Sequence, residues 1–155
     1  MTSLKERLRT DLTAAMHERD QIAVSTLRMA LAAITNAEVA GKEQVSLSDD
    51  AVIGVLRSEI RKRTDVASTY AEAGRDELAQ RERGEAEVLE RYVPAELSDD
   101  ALNTIVAEEV ASAAANDVTG PKAMGVVVKA VRARVGTDAS GGRIADAVKA
   151  ALANG

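Results

Sequence analysis

The chain contains no cysteine, no tryptophan and no phenylalanine, and His17 is its only histidine. Without cysteine there can be no disulfide, no thiolate metal site and no cysteine nucleophile. One histidine removes most zinc geometries and leaves a Ser-His-Asp arrangement dependent on a single residue. Tyr70 and Tyr92 are the only aromatic residues, so the core must be aliphatic, built from Leu, Ile, Val, Ala and Met. Proline is as scarce, with only Pro94 and Pro121. No apolar signal core follows the opening Met-Thr-Ser-Leu-Lys-Glu-Arg, and no apolar run approaches the ~20 residues of a membrane span. The expectation is a cytoplasmic protein without a membrane partner.

What is present is helical patterning. The 155 residues are 46% hydrophobic, enough for a core and enough for one domain or two small ones. Apolar residues recur every three to four positions almost throughout, so the expected class is all-α. Leu4, Leu8, Leu12 and Ala15 form one stripe, opened by a Ser3/Glu6 capping box. Val24, Leu27, Leu31 and Ile34 form a second, with Ile22 and Met29 on the opposite side; a helix apolar on two sides is expected at the centre of its bundle. The string LSDDA occurs at Leu47–Ala51 and again at Leu97–Ala101. Each copy offers a serine cap, two aspartates to complement the helix dipole, and a leucine to staple onto Val52 or Leu102.

The helix from Asp49, through Ile53, Leu56, Ile60, Ala67 and Tyr70, is expected to end near Gly74. The next runs from about Asp76 to Tyr92, and Pro94 stops it. That places a domain boundary between residues 1–94 and 95–155. The smaller domain should hold about three helices: Asp99 to about Ala115, Pro121 to about Val135, and Gly141 to about Ala153. At ~100° per residue, Arg63 falls on an apolar face, and Glu82 and Glu85 do the same on the following helix. An inward base facing inward acids predicts a buried ion pair. His17 falls on a polar face, beside Glu18 and Arg19.

Charge is uneven. The chain carries a net −5. Residues 95–117 have no Lys or Arg and sum to −6, whereas residues 118–155 sum to +4. In that basic segment Lys122, Gly125, Lys129 and Arg132 share one helix flank, within about 80°. A glycine among cations lets an anionic backbone come close. Lys122 lies in the first turn, where the dipole disfavours a cation. Gly141 and Gly142, behind the candidate cap Ser140, leave the first-turn N–H groups of the last helix uncovered beside Arg143, the pattern of an anion site. The bland alternatives are close helix packing at Gly125, a C-cap at Gly136 and a flexible turn at 136–142.

The strings LRMALAAITNAEV and EIRKRTDVASTYAEAGRDELAQRERGEAEVLERYVPAELS, followed by AMG, a basic helix and a Gly-rich turn, resemble the YqeY family over nearly the whole chain. Its glycine helix commonly reads Asp-Met-Gly-Lys, where this chain has Ala123 and Val126. The resemblance implies a larger N-terminal helical domain and a small C-terminal one. The latter is similar to the tail of the GatB subunit of the glutamine-dependent aminoacyl-tRNA amidotransferase, which serves tRNA recognition and not the chemistry. It also implies an association with carbon–nitrogen ligase activity using glutamine as amido-N-donor. The expected function is therefore non-catalytic binding of structured RNA, tRNA above all, through Lys122, Gly125, Lys129, Arg132, Gly141, Gly142 and Arg143. No catalytic residue, metal ligand or cofactor is assigned. The near absence of aromatic residues opposes single-strand stacking and fits recognition of shape. The alternatives are a protein–protein adaptor or an accessory of an amidotransferase-like complex.

Overall fold

Seven helices and no strand make up the computed structural model among the described residues, 2–154. They are α1 (Leu4–Glu18), α2 (Gln21–Val39), α3 (Asp49–Glu72), α4 (Asp76–Glu90), α5 (Asp99–Ala115), α6 (Pro121–Val135) and α7 (Gly141–Asn154). The fold is all-α. The chain divides into two compact units, one ending at Val93 and the other beginning at Pro94. Met1 and Gly155, the outer bounds of the two expected domains, lie outside the described residues.

The start signals act as written. Ser3 Oγ accepts from Glu6 N at 3.2 Å, and Glu6 returns the bond to Ser3 N at 3.0 Å, closing the capping box. Ser48 and Ser98 cap α3 and α5 by accepting from Ala51 N and Ala101 N, at 3.2 and 3.1 Å. Val52 and Leu102, the residues each preceding leucine was expected to reach, are fully buried. Gly74, two residues beyond α3, takes a positive φ of 74° that glycine adopts without strain.

In the N-terminal unit the core comprises Leu8, Ala15, Ala23, Leu27, Ala30, Ile34, Val52, Leu56, Val88 and Leu89. All are aliphatic, as the lack of aromatics requires; Tyr92 packs only at the edge. α2 touches α1, α3 and α4, so it is central. Its second apolar side is not buried, however, because Ile22 and Met29 stay 41% and 53% exposed. By length and composition α2 could also cross a membrane, against the expectation that no apolar run approaches that length. Arg28 and Glu38 are the only charges in its 19 residues, a composition the core-lining Leu27, Ala30 and Ile34 require in a bundle.

The C-terminal unit packs α5, α6 and α7 against one another around Leu102, Val106, Ala113, Ala123, Val127, Val131, Val135, Ala139, Ile144 and Val148. On α6 the buried stripe is Ala123, Val127, Val131 and Val135, with Met124 and Val128 at its edge. Leu97 N donates to Asp138 O at 2.9 Å, fastening the residues ahead of α5 to the turn between α6 and α7.

Candidate nucleic-acid interface

α6 begins at Gly120, whose φ of 68° suits glycine, with Pro121 at the first helical position. Gly136 closes it, donating its N–H to Arg132 O at 2.9 Å. Between these ends the buried stripe of Ala123, Val127, Val131 and Val135 fixes the helix rotation. That rotation turns Lys122, Gly125, Lys129 and Arg132 to solvent. At 1.5 Å of rise per residue, Lys122 and Arg132 lie about 15 Å apart along the axis.

None of Lys122, Lys129 and Arg132 has a carboxylate within ion-pair distance among the described residues. The other arginines of this unit are spent internally. Arg134 Nη1 lies 2.8 Å from Glu108 Oε2 and 3.2 Å from Glu109 Oε1, which joins α6 to α5. The hydrogen bond to Glu108, with Glu109 behind it, raises the Arg134 pKa further. Arg143 Nη2 lies 2.8 Å from both Leu97 O and Asp99 Oδ1, and its Nη1 is 3.5 Å from Glu96. Arg143, one of the expected phosphate contacts, is thus directed to the residues that open this unit and away from the α6 flank. What remains on the flank is three unpaired cations around a glycine.

A Cβ built on Gly125 meets nothing within 4 Å, and the backbone there is ordinary helix. Close packing inside its own unit therefore does not explain this glycine. Gly141 differs. A Cβ there would lie 2.7 Å from Arg132 Nη2, so the bare first turn of α7 makes room for that guanidinium. Ser140 caps α7, its Oγ accepting from Arg143 N at 3.3 Å. Gly142 has open space where a side chain would stand. The structure thus brings Arg132 to Gly141, keeps Lys122, Gly125 and Lys129 on one exposed flank, and takes Arg143 out of that group.

The titratable groups of the N-terminal unit form a structural set. Arg63 is buried; its Nη1 donates to Glu59 Oε2 at 2.9 Å and to Glu59 O at 3.1 Å. Its Nε lies 3.3 Å from Glu85 Oε2, close enough for an ion pair though not aligned for a hydrogen bond. The expected inward pair with Glu85 is present; Glu82 stays half-buried and outside it. Sequence reasoning missed two further links. Lys5 pairs with the buried Glu38, whose other carboxylate oxygen accepts from Leu47 N at 3.1 Å. The Lys5 hydrogen bond, then the Leu47 amide, hold the Glu38 carboxyl below the usual range. Tyr92 donates its hydroxyl to Asp11 Oδ2 at 2.6 Å, with Arg7 over its ring at 4.9 Å. Burial, reinforced by Asp11, pushes the Tyr92 phenol up to about 12. His17 is exposed, as its place on a polar face implied. Among the described residues no cluster of acids and histidine could hold a metal ion.

Architecture and site together define an all-helical protein of two units, a four-helix N-terminal unit and a three-helix C-terminal one bearing an unpaired basic flank. The chain belongs to the YqeY family, described as Yqey-like protein, whose profile matches residues 5–152. Similar curated proteins are named altered inheritance of mitochondria protein 41, mitochondrial. That of Meyerozyma guilliermondii is 36% identical over 86 residues, 56% of this chain and 44% of the relative. That of Clavispora lusitaniae is 31% identical over 91 residues, 59% of this chain and 52% of the relative. The chain spans about half the length of the curated relatives it matches. These names overturn the expected cytoplasmic location, because the compartment they print is the mitochondrion.

Proposed function

We propose that this protein binds structured RNA, with tRNA as the first candidate, through the exposed flank of α6, and that it contributes no catalytic group of its own. One observation carries the reading: Lys122, Lys129 and Arg132 are unpaired on a single helix face while the neighbouring Arg134 and Arg143 are fully engaged. A solvated basic face has no need of glycine, yet Gly125 stands among these cations at a cost near 1 kcal/mol relative to alanine, with nothing packed on it. A phosphodiester backbone lying along the flank uses both features. It meets the charges, and it comes within reach of the helix backbone where no side chain intervenes. Arg132, seated over the first turn of α7, adds a donor beside the N-terminus of that helix. Helix dipole and cation there both favour an anion.

The lack of stacking aromatics directs the proposal to shape and phosphate recognition. In an amidotransferase-like complex the same flank would dock the tRNA and leave the chemistry to other chains. An electrophoretic shift with bulk tRNA tests the reading. Wild type should bind at low salt, and the Lys129→Glu, Arg132→Glu double variant should not. Both residues lie off the buried stripe, so circular dichroism should be unchanged. Equal binding by the two proteins would remove the flank from the function and leave a protein–protein adaptor in its place.

A further inference from the structure

We propose a second anion site, in the N-terminal unit, where Arg19, Arg28 and Arg81 form a receptor for the diphosphate group of a small molecule. The three arginines line one cleft of about 330 Å³, whose other walls are Gln21, Val24 and Ser25. They come from three elements: Arg19 from the turn between α1 and α2, Arg28 from α2, and Arg81 from α4. Among the described residues no carboxylate lines the cleft. Arg19 is held in the turn by a left-handed backbone, φ 58°, with its N–H donating to Ala15 O and Met16 O. Among the described residues Arg28 meets only a sulfur, its Nη2 3.9 Å from Met16 Sδ. Arg81 has a carboxylate 3.7 Å away, on Glu85, but that residue is shared with the buried Arg63.

The cleft therefore concentrates nearly three positive charges with less than one negative charge to offset them. Like charges around one concavity repel, and a multiply charged anion reverses that repulsion. Guanidinium forks match the oxygens of phosphate in bidentate pairs. A single carboxylate brings one charge and two oxygens, too few for three forks; a diphosphate brings enough of both. Ser25 and Gln21 add neutral donors. The three arginines line one hollow from three different elements and not a single helix face, which favours a compact ligand over a polymer backbone. The volume lies at the lower end of the range for small-molecule pockets, roughly 300–1,000 Å³. The site stands apart from the α6 reading, since every residue in it belongs to the other unit.

Isothermal titration of the full chain with pyrophosphate, at matched ionic strength, tests the site, with ADP as a second arm. Saturable binding of pyrophosphate is expected. Arg28→Gln and Arg81→Gln should each weaken it about tenfold or more, the loss of one charge-assisted fork. Arg28→Lys, which keeps the charge but not the fork, should fall between, and Arg83→Gln, on the exposed side of α4, should bind as wild type does. Tighter binding of ADP would identify a nucleotide as the source of the diphosphate; equal or weaker binding would identify the free anion. The proposal is overturned if wild type shows no saturable binding by about 10 mM. It is equally overturned if Arg28→Gln binds unchanged or Arg83→Gln loses as much. If Arg28→Gln lowers RNA affinity while pyrophosphate neither binds nor competes, the arginines belong to a nucleic-acid face and the small-ligand site is wrong.

Discussion

Arg63 is the charged side chain whose removal should be felt most. Its guanidinium is buried between Glu59 and Glu85, so truncation leaves two largely buried acids with only the exposed Lys62 and Arg81 as counter-charges. Arg63→Ala should lower the unfolding free energy by about 3–5 kcal/mol, measured by guanidinium denaturation. A loss below ~1 kcal/mol would mean that the acids reach water once the arginine is gone. Tyr92 gives a pH signature. Its folded pKa lies above that of an unfolded tyrosine, so the folded state binds the proton more tightly. The stabilisation is complete below about pH 10 and is lost as pH rises toward 12. In a Tyr70→Phe background the remaining phenol should titrate by ultraviolet absorbance near 12, and Asp11→Asn should bring that midpoint down. Glu38 has the opposite sign. Its lowered pKa stabilises the fold above the ordinary carboxylate range, and that contribution fades as pH falls through it.

Single helices separate what was legible in the sequence from what was not. The starts of α1, α3 and α5 were legible because a serine cap and its acids act within four residues. The inward direction of Arg63 was legible because helical spacing places it among apolar neighbours. Its second partner, Glu59, sits one turn back on the same helix and gives no inward signal of its own. The fate of Arg143 was not legible. Its partners lie 44 and 46 residues away, and only the packing of α7 on α5 brings them together. Lys5 and Glu38 are 33 residues apart and were hidden for the same reason. On α6 the sequence placed glycine among cations, and the structure adds that nothing packs there. Gly125→Ala should raise stability by about 0.5–1 kcal/mol, since the backbone is helical and the space open. Gly125→Leu should weaken RNA binding without removing a charge. A Gly125→Leu protein that binds as wild type does would make the glycine incidental.

At the scale of the whole molecule, the two units meet in sequence at Val93 and Pro94. Leu97 is already tied into the second unit through Asp138 O and Arg143, so the boundary falls in the short non-helical stretch between α4 and Leu97. Limited proteolysis should cut there first and release two fragments. The C-terminal one, about 60 residues with an aliphatic core, should be marginally stable alone. Early cleavage inside α3 or α6 would contradict that division. Binding of RNA by an acidic protein must be local, because the net charge of −5 opposes it everywhere except at a basic face. The most direct test is the salt dependence of tRNA affinity. Three phosphate contacts, from Lys122, Lys129 and Arg132, predict a slope of log K against log salt near −3, about a 40-fold loss between 50 and 200 mM. Replacing Lys129 and Arg132 by glutamine should flatten the slope to about −1. An unchanged slope in that variant, or no tRNA binding by wild type at 50 mM salt, would contradict the account.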